Sequence, residues 1–157
     1  MKKLFALLFA LIIIVSIPME ASAATNGDYF HLFTGSNRLD GEGKFTFFLR
    51  SNTRSDRNFK TISNSISLTA SAQVYSDNPS VNSPFNDDNV FFTIYLYKVG
   101  TSKPVGHFTQ AANGKVGSTT FPVSTGAEYY FTVEISGSLG DWERVKGSGD
   151  FSNIYII

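Results

Sequence analysis

From Ile62 to Tyr75 the chain alternates almost without fault. Ile62, Ile66, Leu68, Ala70, Ala72 and Val74 share one parity, Ser63, Ser65, Ser67, Thr69, Ser71, Gln73 and Tyr75 the other, and only Asn64 is out of place. Successive side chains leave a pleated backbone on opposite sides, so a period of two predicts a strand with one face on a core and one in water. The same reading predicts strands at Asp28 to Phe33, Lys44 to Arg50, Val90 to Val99 and Ala127 to Ser136. Shorter ones are predicted at Val105 to Gln110, Val116 to Val123, Val145 to Gly149 and Ser152 to Ile157. In Val90 to Val99, Phe92, Ile94 and Leu96 oppose Phe91, Thr93, Tyr95 and Tyr97; in Ala127 to Ser136, Tyr129, Phe131, Val133 and Ile135 oppose Glu128, Tyr130, Thr132 and Glu134.

Turn chemistry separates these runs: Asn26-Gly27, Asp40-Gly41, Asp77-Asn78-Pro79, Asn113-Gly114 and Gly137 to Gly140. Each supplies positive φ or a fixed turn dihedral, and Asn113-Gly114 has the form of a two-residue hairpin turn. No window carries an apolar stripe at helical spacing outside the N-terminal segment. About eight antiparallel strands at this spacing predict an all-β protein, a β-sandwich of jelly-roll or Greek-key type, with a closed barrel as the alternative. Two stretches, Ser51 to Lys60 and Ser76 to Asn89, read as long loops and so as places to look for function.

The first residues change the picture. Lys2 and Lys3 precede an apolar run from Leu4 to Ile17, then Pro18 and Ala21-Ser22-Ala23-Ala24, the layout of a cleaved signal peptide. The run is shorter than the roughly 20 residues of a membrane span. The expectation is a signal peptide over 1–23 and a single β-sandwich domain over 24–157, secreted and extracellular, with no span after cleavage. Removing 23 residues from 157 leaves 134, enough for one core. Cleavage removes two of 13 basic and one of 13 acidic residues, so the remainder stands at 11 against 12. Such a balance gives no global pull toward nucleic acid or anionic lipid, and an intracellular nucleic-acid partner is not expected. The chain has no cysteine. An exported chain without disulfides is held by packing alone and suits a Gram-positive bacterium, and thiolate metal sites and thiol nucleophiles are excluded.

Enzyme chemistry has no motif to stand on. His31 and His107 lie in separate predicted strands without metal-pair spacing, and no Gly-x-Ser-x-Gly elbow occurs. Glu128 and Glu134 share a strand face, but six residues at ~3.3 Å set their backbones roughly 20 Å apart. A glycosidase pair needs about 5 to 9.5 Å. The chain is therefore read as a non-enzyme. Asp87 and Asp88 beside Asn89, and Asp40 with Glu42, are oxygen-ligand candidates for a structural Ca²⁺, though neither follows the spacing of a calcium loop. No other cofactor is expected.

Binding chemistry is better represented. Arg50, Arg54, Arg57 and Lys60 outnumber the single acid Asp56 between residues 50 and 60, and Arg54 and Arg57 are candidates for contact with an anionic polymer. Aromatic residues make up 15% of the chain, and Phe48, Phe91, Tyr95, Tyr97 and Tyr130 fall opposite the expected core. Tyr95, Tyr97, Tyr130 and the loop residue Trp142 are the candidates for stacking on a sugar ring or a partner surface.

The stretch from Val90 to Tyr155 includes Tyr95-Leu96-Tyr97-Lys98, Glu128-Tyr129-Tyr130-Phe131-Thr132-Val133 and Gly147-Ser148-Gly149-Asp150. It resembles the second half of secreted bacterial jelly-roll modules of the pre-peptidase C-terminal kind. The resemblance implies a non-catalytic accessory module and transfers no functional residue. The functional expectation is a small secreted binding module for extracellular carbohydrate, cell-wall polymer or a protein partner. A self-associating structural or matrix protein is the alternative, and a wall-active hydrolase or toxin lacking known motifs is the third.

Overall fold

The computed structural model describes residues 29–33, 43–55 and 57–157. The expected signal segment, Asp40, Glu42 and Asp56 lie outside the described residues. Every regular element among the described residues is a strand: β1 (Tyr29–Phe33), β2 (Gly43–Leu49), β3 (Thr53–Arg54), β4 (Phe59–Thr61), β5 (Ser65–Ser76), β6 (Asp87–Lys98), β7 (Pro104–Ala112), β8 (Gly117–Pro122), β9 (Glu128–Ser136), β10 (Glu143–Phe151) and β11 (Ile154–Ile156). They form two sheets, one in the order β1-β2-β10-β5-β8 and one in the order β11-β4-β9-β6-β7, with β3 also pairing β9. Every pairing is antiparallel.

If the eight principal strands are numbered along the chain from β2 to β10, omitting the two-residue β3, the sheets read 1-8-3-6 and 2-7-4-5. That is the jelly roll, in which the chain passes from sheet to sheet at nearly every connection. Among those eight, consecutive strands share a sheet only at β6 and β7. Asn113-Gly114 therefore does not close a hairpin. It carries the chain from β7 in one sheet to β8 in the other, with Gly114 at φ +76° and its N–H donating to the Ala72 carbonyl at 2.8 Å. The hairpin between β6 and β7 instead turns at Gly100, φ +85°.

The apolar parity read from the sequence is the buried parity. Ile66, Leu68, Ala70, Ala72 and Val74 of β5 are buried, and they face Phe92, Ile94 and Leu96 of β6 and Phe131 and Val133 of β9 within one core cluster. Ile62 departs from its parity at 52% exposed, because β5 begins only at Ser65. Across β2, β10 and β5 the core rows run large-small-small: Phe47, Gly147 and Ala72 are in register, as are Phe45, Gly149 and Ala70. The two phenyl rings lie over the two glycines, where a Cβ would meet their edges. Phe131 and Phe151 stack between the sheets at 3.7 Å and 4°, and Phe59 joins them 4.9 Å from Phe131.

Both expected long loops contract. The stretch 51–60 contains β3 and the start of β4, which pair end to end along one flank of β9. Its Phe59 and Ser55 are buried; the Ser55 N–H donates to the Phe131 carbonyl, and the Phe131 N–H donates to Ser55 Oγ. The stretch 76–89 shortens to 77–86, because β6 begins at Asp87 and Phe85 bridges to Val74.

Candidate functional site

The outer face of the six-stranded sheet gathers the tyrosines nominated from the sequence. Tyr97 of β6 is directly opposite Tyr130 of β9, and Tyr95 is directly opposite both Thr132 of β9 and His107 of β7. Register turns these positions into a ladder of rings. Tyr97 and Tyr130 stack at 5.2 Å and 7°, Tyr95 lies 6.4 Å from Tyr97 at 44°, and His107 lies 5.8 Å from Tyr95.

Arg54 closes the other end. Its guanidinium carbon sits 3.8 Å from the Tyr130 centroid, and its Nη2 donates to Asn58 Oδ1 at 2.7 Å. Asn58 Nδ2 in turn donates to Glu128 Oε1 at 2.7 Å. Because β3 and β6 flank β9 on opposite sides, Arg54 and Tyr97 approach Tyr130 from opposite sides. Tyr130 thus spends both ring faces on its own chain, and the ring surface left for a ligand is that of Tyr95 and Tyr97.

Beside these rings an open depression of about 600 Å³ is floored by Tyr95, Tyr97, Thr132 and Glu134 and rimmed by Asn52, Thr53 and Pro104. The Tyr95 phenol and the Glu134 carboxylate line the same depression, near enough for the carboxylate to act on the phenol. Partial burial of Tyr95, the negative charge of Glu134 and the bond to it, and the neighbouring Tyr97 together hold this phenol above its usual 10.0. Glu134 is the one carboxylate of the lining. Glu128 is six residues away on the same strand and engaged with Asn58.

The remaining nominated residues are elsewhere. Trp142 is 66% exposed on the connection from β9 to β10, where its carbonyl accepts the Asp77 N–H. Tyr130 lies near the opposite end of β9, so Trp142 does not join the ladder. Arg57 is exposed, and the cation over the Tyr130 ring is Arg54. Arg50 reaches the carbonyl and carboxylate of Asp141, so the basic residues do not act as a single patch. Asp87 and Asp88 are consecutive residues at the start of β6, where its pairing with β7 is irregular. Asp87 Oδ1 accepts the Asn89 N–H and Asp88 Oδ1 accepts from Asn113 Nδ2. Among the described residues no three His, Cys, Asp or Glu side chains are grouped to hold a metal ion, and no helix is long and apolar enough to cross a membrane.

Sequence reading missed three contributors: Arg54 as a cation on a ring, His107 as the end of the ladder, and Asn52 at the rim. The first two follow from cross-strand register and the third from its place just before β3, none of which a single strand's periodicity reveals. A second aromatic pair lies on the outer face of the other sheet. Phe48 meets Tyr75 edge-on at 5.5 Å, with Arg144 5.3 Å from Phe48 and Lys146 5.8 Å from Tyr75.

No protein-family model matches the chain. No curated protein matches it in sequence. Among solved structures it is similar to PliG, a periplasmic inhibitor of g-type lysozyme from Aeromonas hydrophila, at 10% identity and TM-score 0.42, over 79% of this chain and 95% of that one. It is similar to TmCBM61, solved with β-1,4-galactotriose, at 11% identity and TM-score 0.31, over 75% of this chain and 65% of that one. A family two carbohydrate esterase from Clostridium thermocellum, solved with cellohexaose, is similar at 13% identity and TM-score 0.38, over 80% of this chain but 30% of that one. At such identities none of them assigns a role to any residue of this chain.

Proposed function

We propose that the protein is an exported, non-catalytic binding module whose outer six-stranded face engages extracellular polysaccharide or wall polymer. The observation that carries this reading is the partly exposed Tyr95–Tyr97 pair beside the depression floored by Thr132 and Glu134. Ring surface for the apolar side of a sugar, next to hydroxyl, amide and carboxylate groups for its hydroxyls, is the combination a polyol ligand requires. The hydrolase alternative has less support: a second carboxylate about 5 to 9.5 Å from Glu134 is needed, and the depression lining holds none.

Retention on insoluble cell-wall and polysaccharide preparations tests the reading. Tyr97→Ala removes a central ring, and loss of a hot-spot aromatic is worth at least ~2 kcal/mol, so binding should weaken more than about tenfold. Unchanged retention of a folded Tyr97→Ala protein would discard this face as the site.

A further inference from the structure

Three aromatic rings on the two outer faces are covered by the chain's own cations: Tyr130 by Arg54, Phe48 by Arg144 and Tyr75 by Lys146. Tyr95 and Tyr97 differ. Among the described residues no cation sits over either ring, and the charged group beside them is the carboxylate of Glu134. Their planes meet at 44° with centroids 6.4 Å apart, so they form a wedge and not a closed stack. A small cation in that wedge can lie within about 6 Å of both centroids, the range over which ring quadrupoles attract charge. Two ring faces and one carboxylate are the complement of an ammonium group.

We propose that the wedge between Tyr95 and Tyr97, bordered by Glu134, is an ammonium-binding pocket, and that the glycan bound by this face carries a free amino group. The proposal rests on the reading of this face as a glycan surface and narrows it to amino sugars. Two features of the site support it. Thr132 and Asn52 leave hydroxyl and amide groups for the rest of the sugar ring. Arg54 is separated from the wedge by the rings of Tyr130 and Tyr97, and Asn58 holds it there, so its repulsion of an incoming cation is weakened by distance and screening. The same carboxylate disfavours an acidic glycan at this position. That reverses the polarity suggested by the arginines between residues 50 and 60.

The test compares oligosaccharides of glucosamine, of N-acetylglucosamine and of galacturonate by titration calorimetry on the wild-type protein, Glu134→Gln and Tyr97→Ala. Exposed cation–ring and ion-pair contacts are each modest, so glucosamine oligomers should bind roughly tenfold tighter than their acetylated counterparts. Glu134→Gln should erase most of that preference, Tyr97→Ala should weaken both, and added salt should narrow the gap. Equal binding of the amino and acetylated forms, or tighter binding of galacturonate, would overturn the proposal while leaving the face a glycan site. Tetramethylammonium provides a measurement free of sugar: it should shift the ring-proton resonances of Tyr95 and Tyr97 where sodium at equal ionic strength does not. If those resonances stay still, the ammonium pocket is refuted. If they move while no oligosaccharide or wall preparation is retained, the amino-sugar ligand and the glycan reading both fail.

Discussion

Tyr97 and Tyr130 stand directly opposite one another on β6 and β9 with their rings 7° from parallel. An aromatic pair in this arrangement is worth ~0.5–1.5 kcal/mol beyond its burial. A double-mutant cycle through Tyr97→Ala, Tyr130→Ala and the double variant should therefore return a coupling of about 1 kcal/mol in unfolding free energy. Additive losses would show that the rings are neighbours without being partners.

Arg54 and Arg57 come from the same basic stretch, yet only Arg54 lies over a ring. A general electrostatic patch makes them equivalent. The geometry makes them different: Arg54→Ala uncovers Tyr130 and frees Asn58, whereas Arg57→Ala removes an exposed charge, a change usually within about ±0.5 kcal/mol in stability. In thermal unfolding Arg54→Ala should cost ~0.5–1 kcal/mol of stability and Arg57→Ala should leave it unchanged. Arg54→Lys should not restore it, because lysine lacks the planar fork that lies on the ring. Equal losses from both arginines would return the patch to consideration.

Strand identity and facing were legible in the sequence because they depend on neighbours two residues apart. Tyr129, Phe131 and Val133 are buried and Tyr130, Thr132 and Glu134 face out, as their parity implies. The site was legible only in part, because it depends on residues brought together by register. Tyr95 and Tyr97 were recognisable as outward-facing, but their relation to Tyr130, His107 and Arg54 needs the order β3-β9-β6-β7. Asn113-Gly114 shows the same limit from the other side: its turn chemistry is correct, since Gly114 has positive φ, but no local signal says that the next strand joins the opposite sheet. Trp142 attracted attention as a loop aromatic, and the chain's crossover leaves it beyond the far end of β9 from Tyr130.

Gly147 and Gly100 separate two reasons for glycine. A Cβ on Gly147 would collide with the Phe47 ring inside the core, whereas one on Gly100 meets nothing within 4 Å but requires an L residue at φ +85°. Gly147→Ala should cost ~1–3 kcal/mol through overpacking and lower the melting temperature of the whole domain. Gly100→Ala should cost about 1–2 kcal/mol by backbone strain at the hairpin between β6 and β7, with the core unchanged. Pairing Gly147→Ala with Phe47→Leu, which shortens the obstructing ring, should recover part of the loss, while Phe47→Leu should do nothing for Gly100→Ala. Thermal unfolding of the four variants decides it, and failure of the rescue would place the Gly147 defect outside the Phe47 contact.

Tyr95 supplies a pH signature. Burial, then the charge of Glu134 and the hydrogen bond to it, then Tyr97, raise this phenol above 10.0. The fold thus favours the neutral phenol over the phenolate. The resulting stabilisation is fully present below pH 10.0, the unfolded value, and is lost as pH rises through the higher folded value. Following tyrosinate absorbance against pH, with Tyr95→Phe subtracted to isolate this ring, should show Tyr95 ionising above 10.0 in the wild-type protein. In Glu134→Gln the titration should move back toward 10.0 without reaching it, because burial remains the largest cause. Binding at the wedge should hold steady from neutral pH until a free amine on the ligand loses its proton, before Tyr95 itself ionises. A Tyr95 titration unaltered by Glu134→Gln would mean that the carboxylate does not reach the phenol, removing one of the supports for the ammonium pocket.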